Sequence, residues 1–276
     1  KWYKNGTELL NTMHPDGKRI WAHNFNIDKL YQKHIGWSDI ISSEGGLSFR
    51  YFEEGFLFDG AANAIFEKEG YNEVDFMVIL AYSNSVIPKH VRNLLNPTIH
   101  FKPGNFLNLP YVHYAHKEIC TVAEQNIFIS KQDWDAHETS WDFERNPLYE
   151  QFLECMEDDL QNVIPSGTSL EELSKFAVAE AMHPLTTCLH NYKDKWEVNF
   201  MRLHKNEEEL NRQFIDIYGL QDELTPDVPL NEITILQQGE ISIENDRIKW
   251  HDDVVMKQFI SYAVGCMMGR YSIDKP

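Results

Sequence analysis

The stretch "LHNYKDKWEVNFMRLHKNEEELNRQFIDIYG", residues 189–219, decides the architecture of the chain. Leu189, Trp196, Leu203, Leu210 and Ile217 recur every seven residues, and Phe200 and Phe214 each fall one turn after a member of that series. One apolar stripe therefore runs along the whole segment, and Gly219 stands where a left-handed residue would end a helix. The spacing predicts a single helix of about eight or nine turns. Asn206, Glu207 and Gln213 interrupt the seam, which favours a packed spacer helix over a lone parallel coiled coil.

Upstream, Asn146-Pro147 reads as an N-cap and first-turn pair, followed by a stripe at Leu148, Phe152, Leu153, Met156, Leu160 and Val163. "PSG" breaks that helix, Thr168 with Glu171 forms a capping box for another through Leu173, Phe176, Ala177 and Met182, and Pro184 marks a further boundary. Downstream, "ITIL" and "ISI" are expected to pair as a small hairpin, and residues 254–268 form a final core-facing helix. The second half is thus mainly helical.

The first half reads differently. "KRIWAHNF" alternates after the "HPDGK" turn, and "GLSFRYFEEGFLFDG" predicts a hairpin around Glu54-Gly55. "VDFMVILAYSNSVIPKHVRNLL" has helical spacing at Phe76, Ile79, Leu80 and again at Val91, Leu94, Leu95, with Pro88 marking a break or the first turn of a second helix. "NPTIHFKPGNFLNLPYV" returns to extended structure. The expected fold class is α+β: a mixed domain over residues 1–128, then a mainly α-helical domain with one long helix over residues 129–276.

Charge divides the chain in the same way. The formal net charge is -18 over 276 residues, yet residues 1–110 hold 11 Lys and Arg against 12 Asp and Glu, a balance of -1, leaving -17 for the remainder. Any contact with DNA phosphates belongs to the first half, where Lys18, Arg19, Lys29, Lys33, Arg50, Lys89, Arg92 and Lys102 are available. No apolar run reaches the roughly twenty residues a membrane helix needs, and residues 259–268 are flanked by Lys257 and Arg270. Cys120, Cys155, Cys188 and Cys266 lie far apart without a CxxC pair, against a zinc ribbon or a disulfide scaffold and in keeping with a reducing cytoplasm. The ends read as cuts through a longer polypeptide.

Two clusters invite chemistry. "DWDAHETSWDF", residues 133–143, concentrates carboxylates, a histidine and two tryptophans. Acid–base or metal work would require convergence in a pocket. The plainer reading makes Asp133, Asp135, Glu138 and Asp142 caps and first-turn acids, with Trp134, Trp141 and Phe143 locking a joint between the two halves. His113 and His116 in "HYAH" lack the cysteines or the HExxH pattern of a zinc site. GxSxG, P-loop and GxGxxG motifs are absent. A metal-dependent nuclease of the PD-(D/E)xK type has a signature weak enough to hide in an acidic chain, but no clear carboxylate pattern supports it.

"DWDAHETSWDFERNPL", "NEEELNRQFIDIYGLQDELTP" and "ISYAVGCMMGRYSID" resemble the later part of the adenine-specific DNA methyltransferases of BREX phage-defence systems, the PglX family. "KWYKN", "LSFRYFEEGFLFDGAANAIF" and "LLNPTIHFKPGNFLNLP" resemble the target-recognition region that this family shares with type IIG restriction-modification enzymes. The resemblance covers almost the whole chain. It implies a parent that transfers a methyl group from S-adenosylmethionine to an adenine amino group, with an Asn-Pro-Pro-Tyr-type loop gripping the flipped base. The Asn-Pro pairs here, Asn96-Pro97-Thr98 and Asn146-Pro147-Leu148, lack the second proline and the aromatic residue. The methyl-transfer centre and its cofactor are therefore expected in an N-terminal part of the parent, and no catalytic, cofactor-binding or metal-ligating residue is assigned in this chain.

What the resemblance leaves for this chain is recognition of double-stranded DNA, with Lys18, Arg19, Arg50, Lys89, Arg92 and Lys102 as the candidate contacts. The acidic helical half would be a spacer toward the methyltransferase domain of the same parent. The alternative is an interaction scaffold that docks other defence-system proteins.

Overall fold

A computed structural model describes residues 7–21, 26–41, 46–58, 60–96, 98–114, 116–163 and 185–271. The expected capping box at Thr168 and Glu171 and the "PSG" break lie outside the described residues, as does "KWYKN". The described elements make an α+β chain. They sort into two compact units: residues 1–123 with 210–225, and residues 124–209 with 226–276.

The first unit opens with a short helix α1, Thr7–Asn11, and a three-stranded antiparallel sheet of β1 (His34–Ser38), β2 (Arg50–Phe52) and β3 (Ala62–Ile65). The order is β2-β1-β3, with Gly36 facing Arg50 on one side and Ala64 on the other. Alternation along β1 sends Ile35 and Trp37 into the core beside Phe49 and Phe101. A Cβ on Gly36 would come within 2.8 Å of the Phe52 ring, so glycine is what permits that ring to lie against the strand.

The hairpin expected around Glu54-Gly55 does not form. Gly55, at φ +100°, donates its N–H to the Tyr31 carbonyl at 2.9 Å, which leads the chain away from β2. The chain returns as β3 on the opposite edge of β1. "KRIWAHNF" likewise contributes one bridge, between Met13 and Ile20, among its described residues.

Residues 73–95 form two helices, α2 (Glu73–Asn84) and α3 (Val86–Leu95). Asn72 caps α2 through a reciprocal pair with Asp75, at 3.1 Å and 3.0 Å. The break falls at Ser85, whose extended backbone caps α3. Pro88 then sits in the first turn of α3, where its missing N–H costs nothing. Leu94 and Leu95, expected on the buried stripe, are exposed, and Ile87 is the buried anchor. The expected extended return contains a short helix α4, Pro103–Leu107.

A helix not expected from the sequence, α5 (Lys117–Asp135), follows. Ile119, Cys120 and Ala123 bury its first turns in the first unit, and Ile129 belongs to the core of the second. Asn146 caps α6 (Pro147–Val163), accepting from Leu148 N at 3.0 Å. The long helix is α7, Leu185–Tyr218. Trp196, Phe200, Leu203, Leu210 and Phe214 of its stripe are buried. Gly219, at φ +65°, ends it: Leu220 N bonds the Ile215 carbonyl at 3.0 Å and Gly219 N bonds the Asp216 carbonyl at 3.2 Å.

Residues 210–225 belong to the first unit, where Val86 N donates to Asn211 Oδ1 at 2.8 Å and Val112 N to Tyr218 Oη at 2.9 Å. In the second unit, "ISI" pairs with "RIKW" rather than with "ITIL": β4 (Ile241–Glu244) and β5 (Arg247–Trp250) close over Asn245-Asp246. Both turn residues have positive φ, 52° and 60°, the backbone of a two-residue hairpin turn that Asn and Asp tolerate. Ile233, Ile235 and Leu236 fill the core instead. The chain's last described helix is α8, Asp252–Met267. Among the described residues no helix is long and apolar enough to cross a membrane.

Candidate nucleic-acid interface

The expected DNA contacts occupy different settings within the first unit. Lys18 and Arg19 lie on the exposed turn after Pro15. Asp16 organises that turn, accepting from Lys18 N at 2.9 Å and pairing with the Arg19 guanidinium at 3.6 Å. Arg50 stands on β2 and donates to the Phe49 carbonyl at 3.1 Å. It also lines a cavity of about 280 Å³ beside β1, together with His34, Trp37, Phe52, Phe58 and Asn63. Lys89 and Arg92 sit on α3. Lys33, named above as available to phosphates, is held by Glu67 at 3.0 Å and by Glu73, and these partners raise its pKa. Lys29 lies 5.7 Å from the Phe66 ring.

Lys102 is the residue the fold builds around. Two backbone bonds, Phe101 N to Asp39 O and Ile41 N to Ile99 O, both 2.8 Å, pair the segment after β1 with the segment before α4. That pairing brings Lys102 Nζ to 2.6 Å and His100 Nδ1 to 3.0 Å from the same oxygen of Asp39. Asp39 is buried while both partners stay half exposed. The Lys102 ammonium, and then the His100 ring, hold its carboxyl below the usual range. A buried acid thus fixes an ammonium and an imidazole on one small surface, flanked by exposed Ile40 and Ile99. Such an arrangement can place polar groups against phosphate or base edges without first ordering long side chains. Asp39 and His100 had no local signal, since they lie 61 residues apart and meet only through the backbone pairing.

The "HYAH" histidines do not converge. His113 Nε2 contacts Asp75 at 2.9 Å and His116 Nδ1 contacts Glu118 at 3.5 Å. No group of three His, Cys, Asp or Glu able to hold a metal occurs among the described residues.

"DWDAHETSWDF" departs from its expected role. All of it lies in the second unit, and Asp133 and Asp135 end α5 rather than start a helix. Trp134 is 60% exposed and Trp141 89% exposed, so neither locks a joint. The buried members are polar. His137 Nε2 meets Glu240 Oε1 at 2.6 Å and His137 Nδ1 meets the Asp133 carbonyl at 2.7 Å. A carbonyl and a carboxylate only accept, so both ring nitrogens donate and the ring is an imidazolium. Burial opposes that charge, but Glu240 outweighs it and raises the His137 pKa. Burial likewise opposes the charge of Glu240, while His137 and then Gln258, at 2.6 Å, hold its carboxyl low. Asp133 accepts from Leu236 N at 2.9 Å, yet burial pushes its carboxyl up to about 6. With every partner internal, this is a structural ion pair rather than a reactive centre.

No family model matches the chain. It is similar along its entire length to an adenine-specific methyltransferase PglX of Lacticaseibacillus casei (strain Zhang), with 32% identity over 275 residues. It is also similar to an adenine-specific methyltransferase BrxX of Escherichia coli O9:H4 (strain HS), with 29% identity over 281 residues. Each alignment takes in 100% of this chain and 20% of the relative, so the chain spans about a fifth of the length of these curated relatives. The chain is thus similar, from end to end, to about a fifth of these PglX and BrxX adenine-specific methyltransferases.

Proposed function

We propose that this chain is the DNA sequence-recognition portion of an S-adenosylmethionine-dependent, adenine-specific DNA methyltransferase in bacterial phage defence or restriction-modification, working in the cytoplasm. The observation that carries the reading is the similarity along the entire chain to methyltransferases about five times its length, in a sequence without the Asn-Pro-Pro-Tyr loop. Methyl transfer, and the S-adenosylmethionine that supplies the methyl group, are assigned to the rest of the parent. Lys102 and His100 on Asp39 are the leading contacts, followed by Arg50, Lys18 and Arg19, then Lys89 and Arg92 on α3. The near-neutral charge of residues 1–110 lets duplex DNA approach this surface, while the acidic remainder repels it.

The test is fluorescence anisotropy of a labelled duplex with the chain, across a series of salt concentrations. Affinity should fall steeply with salt, and each substitution Lys102→Ala, Arg50→Ala or Arg19→Ala should reduce the log–log slope by about 1 where a phosphate contact is lost. Salt-insensitive binding, or the same slope in all variants, would count against the reading. Magnesium-dependent cutting of the duplex would point to a nuclease instead.

A second reading, a protein-docking role for the acidic half, is favoured by one observation: large apolar side chains stand exposed on the second unit.

A further inference from the structure

One face of the three-stranded sheet holds a cavity with a histidine at its depth. Alternation along β1 puts His34, Gly36 and Ser38 on the side away from Ile35 and Trp37, and the register sets Phe52, Arg50 and Ala62 opposite them in that order. Small residues there leave room above the strands, and His34, Arg50, Phe52 and Phe58 help to wall a cavity of about 280 Å³. Rim and depth differ in chemistry. Ser38, Arg50 and Ala61 are exposed, whereas His34 is 2% exposed. The Phe52 ring stacks on the His34 imidazole with centroids 4.9 Å apart, and Phe58 meets it edge-on at 5.6 Å. His34 Nδ1 donates to the Gln32 carbonyl at 2.9 Å, so in the neutral ring Nε2 is an acceptor. Nε2 has no hydrogen-bond partner among the described residues, and it is not one of the sealed polar atoms left without a partner, so it reaches the cavity that His34 lines.

Size and lining select the ligand. At the ~30 Å³ that a water occupies, this space takes about nine such groups, the bulk of one nucleobase. An aliphatic ligand would bury the Nε2 acceptor without a donor, and a bare phosphate would bring acceptors to an acceptor. A base brings a flat π surface and an N–H together. We propose that the cavity holds a single nucleobase. An amino or ring N–H of the base donates to His34 Nε2, the Phe52 and Phe58 rings form the wall against which its plane packs, and Arg50 at the rim meets the attached phosphate. The base comes from a free nucleotide or is unstacked from DNA, and only the second source rests on the recognition reading above.

The experiment follows the His34 ring of the chain in proton–nitrogen correlation spectra while each nucleoside monophosphate, or a DNA duplex with one bulged base, is added. Anisotropy then compares the bulged duplex with its fully paired counterpart. The Nε2 resonance should move, and where DNA is the source the bulged duplex should bind about tenfold tighter than the paired one, the effect of one stacked base. Ala62→Phe, which fills the cavity from β3, should abolish the resonance shift and the preference while leaving paired-duplex affinity unchanged. His34→Phe, which keeps a ring and removes the acceptor, should abolish the preference as well. A shift with nucleotides alone assigns the base to a free nucleotide, and a shift with the bulged duplex alone assigns it to DNA; either upholds the cavity. No shift with any probe overturns the proposal, as does a bulge preference that survives Ala62→Phe. Should either variant fail to fold, the spectra of the unaltered chain decide. Paired-duplex binding is read separately: its absence refutes the recognition reading and leaves the nucleotide arm intact, whereas its presence without any His34 shift refutes the cavity proposal alone.

Discussion

Glu240→Gln gives the sharpest test of how the second unit is held together. Glu240 is fully buried, at 0% exposure, and its carboxylate takes three donors: His137 Nε2 and Gln258 Nε2, each at 2.6 Å, and Gln238 N at 2.8 Å. A glutamine keeps one oxygen but turns an NH2 group toward donors and leaves the His137 charge without its partner. Breaking a buried ion pair by removing one member costs about 3–5 kcal/mol.

The pH window follows from the two shifts. The folded pKa of His137 lies above its ordinary 6.5, so its contribution is complete below 6.5 and is lost as pH rises through the folded value. The folded pKa of Glu240 lies below its ordinary 4.5, so its contribution is complete above 4.5 and is lost as pH falls through the folded value. The pair is therefore strongest between those limits. Urea unfolding of both proteins should give the full deficit at about pH 5.5 and a smaller one once the pH has been raised through the folded value of His137, where the native protein loses the imidazolium. A deficit under about 1 kcal/mol at the lower pH, or an equal deficit at both, would refute the reasoning.

Other substitutions test separate parts of the account. Asp133→Asn keeps an acceptor for Leu236 N but removes a carboxyl that burial pushes from 3.8 to about 6. Because the native protein bears the cost of ionising Asp133 only as pH rises through that interval, the variant should gain relative stability from about pH 3 to about pH 7, by at most about 3 kcal/mol, in parallel urea titrations. Trp141→Ala should leave the stability of the chain within about 0.5 kcal/mol by thermal or urea unfolding, since the ring is exposed. Gly219→Ala should cost about 1 kcal/mol in the same assay: the position has room for a Cβ but needs positive φ. Lys102→Ala should weaken duplex binding at low salt more than Lys33→Ala, because Lys102 meets one carboxylate and is 54% exposed while Lys33 meets two and is 28% exposed.

Much of the architecture was legible in local pattern. The seven-residue recurrence from Leu189, the Asn146 cap and the Gly219 stop are short-range signals, and helices built on such signals form where the sequence places them. The final helix was readable for the same reason. Strand pairing was not. The turn at Gly55 looks like a hairpin, but β1 takes partners on both edges and separates the two runs. "ENDR" did carry a two-residue turn signal at Asn245-Asp246, and it outweighed the apolar look of "ITIL". α5 also carries a local signal, since Ile119, Val122, Ala123 and Ile129 recur at helical spacing.

By itself, then, the sequence determined the fold class, the division of charge, the long helix and the kinship with adenine-specific methyltransferases, because each is a property of neighbouring residues or of long matched segments. Tertiary structure alone decided which charges are committed. Asp39 gathers Lys102 and His100 from 63 and 61 residues away, and Glu240 reaches His137 across 103 residues. In "DWDAHETSWDF" it reversed the expected roles, burying the histidine and exposing the tryptophans, because desolvating a charge is tolerable only where a distant partner arrives to meet it.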